Sequence, residues 1–139
     1  MTLSAGLAAL VEEFRVNTMV DTELTANEAA GEDLAAEEIG QVLIITREAL
    51  ANVARHARAT RAIVDMRATR DDVVVTIGDN GVGFVTDVRR PPAHQGLHNM
   101  RNRATGIGAT LAVESAAGAG TRIIVTLPRR TAAVSGGEM

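Results

Sequence analysis

The sequence predicts an α+β two-layer sandwich: a single mixed sheet with helices on one face. Three observations lead there. Hydrophobic periodicity runs in the order helix, strand, helix, two strands, helix, two strands. The paired strands are separated by short polar or glycine-rich connections, which suit hairpins and not the helical crossovers of a doubly wound sheet. The chain has 139 residues, 46% of them apolar, which is one domain with a real core.

Each element has its own signal. Leu3 to Phe14 places apolar residues at 7, 10, 11 and 14, the spacing of an amphipathic helix. Val16 to Leu24 alternates and reads as a strand. Thr25 to Ala36 is acidic and rich in small residues, a loop or weak helix. Ala35 to Ala57 is the strongest helix, with Ile39, Leu43, Thr46, Leu50, Val53, Ala54 and Ala57 on one face and Glu48, Asn52 and Arg55 on the opposite one. Arg61 to Arg67 and Val73 to Asp79 read as a hairpin across a tight polar connection. Asn80 to Gln95 reads as irregular, because Pro91-Pro92 oppose a helix there. Leu97 to Ala104 reads as a helix ended by Gly106 or Gly108. Leu111 to Ser115 and Arg122 to Leu127 form a second hairpin, and the residues after Pro128 read as a frayed tail.

Composition removes several function classes. With no Cys there is neither a disulfide framework nor a thiolate metal site. A net charge of -3 gives no electrostatic case for nucleic acid. No apolar run approaches the ~20 residues of a membrane helix, and the N-terminus lacks a signal-peptide layout, so a cytoplasmic domain without membrane contact is expected. Every basic residue is Arg, which excludes a eukaryotic-type protein kinase and its required Lys. Neither a P-loop nor a Gly-x-Ser-x-Gly element is present. His56, His94 and His98 lack a carboxylate at helical spacing and make a poor metal site.

Three segments carry chemistry. On the long helix, Glu48 and Asn52 offer oxygens to a hard cation such as magnesium. Arg55 follows on the same stripe and can meet a phosphate, and His56 at its edge can donate to a phosphate or ribose oxygen. Taken alone, this face reads better as a solvated surface with a Glu-to-Arg pair. Asp79-Asn80-Gly81-Val82-Gly83 follows an apolar strand. Asp79 can accept from an exocyclic amine such as adenine N6, and Gly81 and Gly83 let a base lie against backbone. Asp-Asn-Gly is also plain turn chemistry, but the 16 residues that follow before the next helix are long for a turn and suit a lid. Gly96 and Leu97 begin a predicted helix whose N-terminus can face an anion. Gly118-Ala119-Gly120-Thr121 links two strands, and its backbone and the Thr121 hydroxyl can help hold a base. In this order the segments describe a pocket for ATP with Mg2+.

These motifs resemble the ATP-binding catalytic domain of bacterial two-component sensor histidine kinases, in the GHKL superfamily with its Bergerat-type fold. Arg47-Glu48-Ala49-Leu50-Ala51-Asn52-Val53-Ala54-Arg55-His56 resembles the N box. Asp79 to Gly83 resembles the G1 box, Gly96 to Arg101 the G2 box, and Gly118 to Thr121 a further glycine box. The Arg-Glu-Ala-Leu and Gly-Leu-x-x-Met-Arg-x-Arg stretches resemble the subfamily paired with response regulators bearing helix-turn-helix output domains. The likeness covers about Glu37 to Pro128. It implies that Asp79 holds adenine, that Asn52 is the metal ligand, that Glu48 assists metal or proton handling, and that Arg55 and His56 face phosphate. It further implies that Gly81, Gly83, Gly96, Gly118 and Gly120 are the box glycines. Two departures stand out: Asn102 sits where Glu is common, and the segment between the G1 and G2 boxes is short, without a clear phenylalanine box.

The family transfers phosphate to a histidine on a separate dimerisation domain, usually followed by an acidic residue. His56 precedes Ala57, His94 precedes Gln95 and His98 precedes Asn99. The chain is therefore expected to be a monomeric fragment of a longer kinase, with a response regulator downstream. The alternatives are an anti-sigma factor with serine-kinase activity, or a regulatory module with a closed, weakly ATP-binding pocket.

Overall fold

The computed structural model describes residues 2–27, 34–82, 91–116 and 118–129, with the side chains of 56, 57 and 91–95 outside that description. Helices α1 (Leu3–Thr18), α2 (Ala36–Asn52) and α3 (Pro91–Gly106) accompany strands β1 (Asp21–Ala26), β2 (Arg61–Ala68), β3 (Asp72–Asp79), β4 (Thr110–Ser115) and β5 (Thr121–Pro128). The strands form one sheet in the order β1-β2-β3-β5-β4. β1 runs parallel to β2, and the other neighbours are antiparallel. The α+β sandwich with a mixed sheet is as the sequence predicts.

Alternation in the strands decides which face is covered. Ala62, Val64 and Met66 of β2, Val73, Val75 and Ile77 of β3, and Ile123, Val125 and Leu127 of β5 are buried. They join Leu7, Val11, Val42, Ile45, Leu50, Leu97 and Met100 from the helices in one core. Each fully buried aliphatic side chain contributes ~1.5–3 kcal/mol over its exposed state. Gly6 lets α1 lie close to α2: a Cβ there would come within 2.6 Å of a Leu43 methyl. Among the described residues no helix is long and apolar enough to cross a membrane.

Three local expectations are corrected. The first helix runs on to Thr18, where strand-like alternation predicted β structure from Val16. Met19 ends it in the left-handed region at φ 63°, and Arg15 Nε donates to Thr22 O at 2.8 Å, tying the helix end to β1. The third helix begins at Pro91, not at Leu97. Proline is tolerated in a first turn, where its missing N–H has no intrahelical partner to lose. On α2 the buried stripe is Val42, Ile45, Thr46, Ala49 and Leu50. Ala54, expected in the core, is exposed, because α2 gives way to a π-turn at Val53–Ala57 that breaks the 3.6-residue phase.

Candidate functional site

Two clusters of the sequence-predicted residues form on the helix-covered side of the sheet. The first sits at the end of α2. Glu48 and Asn52 are half-buried and one helical turn apart. Arg55 reaches back from the π-turn: its Nη2 donates to Asn52 Oδ1 at 3.2 Å and lies 3.7 Å from Glu48 Oε2. The two oxygens are thus turned toward one cation. Gly96 of α3 lies directly over them, since a Cβ there would stand 3.5 Å from both Glu48 Oε1 and Asn52 Nδ2.

The second cluster is built on Asp79, the last residue of β3. Its Oδ1 accepts from the Gly81 N–H at 2.7 Å, and the Thr121 N–H also donates to the carboxylate. Burial pushes the Asp79 carboxyl above the ordinary aspartate range, and those two N–H groups pull the other way without cancelling it. The glycine turn packs against this strand end. Gly118 N–H donates to Val82 O, and Gly120, at φ 82°, passes against the Asp79 carbonyl. Thr121 is the register partner of Asp79 on β5, and Ser115 is the partner of Thr121 on β4.

Two residues with no role in the sequence reading complete the second cluster. Asn80 accepts the N–H groups of Thr60 and Arg61, each at 3.0 Å, and donates to Thr60 Oγ1 at 3.0 Å. It locks the end of β3 to the start of β2 and so fixes Asp79. The Ser115 hydroxyl lies 2.9 Å from Thr121 Oγ1 and donates to Gly120 O at 3.2 Å. A Ser and a Thr six residues apart across a glycine turn would have flagged that pair.

Other predicted site residues stand differently. Leu97 has its side chain in the core, leaving only its backbone available to a ligand. Gly96 and Leu97 fall inside α3 and not at its start, so their N–H groups are not those of a helix N-terminus. His56 belongs to the π-turn, with its side chain outside the description, and Gly83 lies outside the described residues.

The donor set fits magnesium. Glu48 and Asn52 supply hard oxygens already turned toward a positive charge, and Mg2+ is commonly held by one or two protein oxygens, with phosphate and water supplying the rest. Among the described residues no group of three His, Cys, Asp or Glu gathers into an all-protein metal site.

The chain is similar to known proteins along most of its length. Residues 38–131 match the family model described as histidine kinase-, DNA gyrase B-, and HSP90-like ATPase. Sensor protein VraS of Staphylococcus haemolyticus is 42% identical over 84 residues, covering 60% of this chain and 24% of that protein. Sensor histidine kinase LiaS of Bacillus subtilis is 32% identical over 126 residues, covering 91% of this chain and 34% of that protein. The chain thus spans a quarter to a third of these relatives. The histidine kinase domain of the Erythrobacter litoralis EL346 blue-light activated histidine kinase shares the fold, with a TM-score of 0.78 at 22% identity over 93% of this chain and 62% of that one.

Proposed function

Since the chain belongs to the family of histidine kinase-, DNA gyrase B- and HSP90-like ATPases, we propose that it binds Mg-ATP and supplies the γ-phosphoryl group for autophosphorylation of a histidine. That histidine lies on a separate dimerisation domain of a longer sensor kinase, and a response regulator accepts the phosphoryl group afterwards. The names of the relatives VraS and LiaS support the sensor assignment.

The observation that carries the reading is the Asp79 carboxylate. It is fixed by two backbone N–H groups at a strand end where Gly120 leaves no side chain in the way. A carboxylate so held accepts from the exocyclic amine of adenine, a charge-assisted bond of ~1.5–3 kcal/mol. Gly81, Gly118, Gly120 and Thr121 border the base. Glu48 and Asn52 hold the magnesium ion, which neutralises charge on the phosphates when bound. Arg55 is the phosphate-facing cation at this end of the site. Gly96 borders this metal end from α3, and Leu97 offers only its backbone. Catalysis in this class is positioning and charge neutralisation, so no covalent step is asked of these residues.

Calorimetric titration of ATP with and without Mg2+, beside Asp79→Asn, tests the proposal. Magnesium-dependent binding that is lost in the variant is the expected result. Equal binding by wild type and Asp79→Asn would place the nucleotide elsewhere and end the assignment.

A further inference from the structure

Ser115, Thr121 and Asp79 form one register row across β4, β5 and β3, on the helix-covered side. Their hydrogen bonds settle where the protons point. Ser115 Oγ lies 3.2 Å from Gly120 O and 2.9 Å from Thr121 Oγ1. A carbonyl oxygen only accepts, and a Ser hydroxyl has one proton to give. Both contacts are hydrogen bonds together only when Ser115 donates to Gly120 O and Thr121 donates to Ser115. The Thr121 hydroxyl has then spent its proton, and the face it turns to a ligand is an acceptor. Asp79 beside it, ionised, is an acceptor as well, its carboxylate already held by the N–H groups of Gly81 and Thr121.

We propose that Ser115 is a specificity-determining positioning residue: by taking the Thr121 proton it sets two adjacent acceptors, Thr121 Oγ1 and the Asp79 carboxylate, that select a purine carrying an exocyclic amine over one carrying a carbonyl. The inference rests on the nucleotide reading above and deepens it. A lone Thr hydroxyl rotates to suit either partner, donating to a carbonyl as readily as it accepts from an amine. Without Ser115 the site keeps Asp79 but loses this half of its discrimination. A site whose polar groups match one ligand and go unpaired with another discriminates more strongly than an apolar pocket does.

The probe is inosine triphosphate, which has a carbonyl where ATP has the amine. Binding of ATP and of inosine triphosphate, each with Mg2+, is measured for wild type, Ser115→Ala, Ser115→Thr and Thr121→Val. Wild type prefers ATP. Ser115→Ala narrows that preference by roughly five-fold, the size of one neutral hydrogen bond, through a gain in inosine triphosphate affinity. Ser115→Thr, which keeps the hydroxyl, retains the wild-type ratio, and this separates proton placement from mere packing. Thr121→Val narrows the ratio as Ser115→Ala does, and it decides the question if Ser115→Ala does not fold. An unchanged ratio in both variants that still bind ATP overturns the inference and leaves the ATP assignment standing. Failure of the wild-type chain to bind either nucleotide overturns both.

Discussion

Gly120 crosses Asp79 so closely that a Cβ on it would lie 2.1 Å from the Asp79 carbonyl oxygen. The obstacle is backbone and cannot swing aside. Gly120 also sits at φ 82°, a region that L side chains avoid. Gly118, two residues earlier, has a similar φ of 79° but open space around it. The two glycines therefore separate backbone strain from close approach. Gly118→Ala carries the strain alone, about 1–3 kcal/mol, and leaves Asp79 in place. Gly120→Ala carries the strain and also forces the β5 entry away from β3. Its loss of stability, read by chemical denaturation, exceeds that of Gly118→Ala, and ATP binding disappears only in Gly120→Ala. Equal effects would show that the close approach has no bearing on the site.

Gly96 puts stability and binding in opposition. Inside α3 it weakens the helix by about 1 kcal/mol relative to Ala. A Cβ at this position would make ordinary 3.5 Å contacts with Glu48 and Asn52, so nothing steric forbids it. Gly96→Ala is therefore expected to raise the thermal midpoint. The same methyl lies over the oxygens assigned to magnesium and crowds the space that the ion and its phosphate partners need. Mg-ATP affinity falls about ten-fold as a result, the equivalent of ~1.4 kcal/mol. Gly106→Ala is the control, near the end of the same helix with nothing within 4 Å. A Gly96→Ala protein that is more stable and binds Mg-ATP as well as wild type would remove Gly96 from the site.

The parts of the fold that could be read from sequence are those with local signals. The β2–β3 and β4–β5 hairpins follow from alternation interrupted by turn residues, and α2 follows from its long 3.6-residue pattern. Val16 to Thr18 misled because alternation over a few residues does not distinguish a strand from an exposed helix end, where Val16 is 68% exposed. Pro91-Pro92 misled because a proline pair opens a helix as readily as it blocks one. Sheet order has no local signal: the insertion of β5 between β3 and β4 depends on long-range pairing. In the site, Asp79 and the glycines could be singled out because their segments occur together and in one order, each being ordinary turn chemistry alone. Asn80 and Ser115 were given no role, since their bonds run to residues that the pairing of strands brings close.

Asp79 makes stability and binding respond to pH in opposite directions. Burial raises its carboxyl above the ordinary aspartate range in the folded chain, so across that window the folded state holds the proton more tightly than the unfolded state. The stabilisation linked to this proton is fully present below the unfolded pKa and is lost as pH rises through the folded one. Relative to Asp79→Asn, whose residue 79 does not titrate, wild-type stability therefore declines as pH climbs from the ordinary aspartate range toward neutrality. ATP binding runs the other way, because a protonated Asp79 has given up a charged acceptor. Denaturation midpoints and ATP titrations of both proteins across mildly acidic to neutral pH check the pair of signs. If the stability difference between wild type and Asp79→Asn grows in favour of wild type as pH rises, burial is not the dominant influence on this carboxylate.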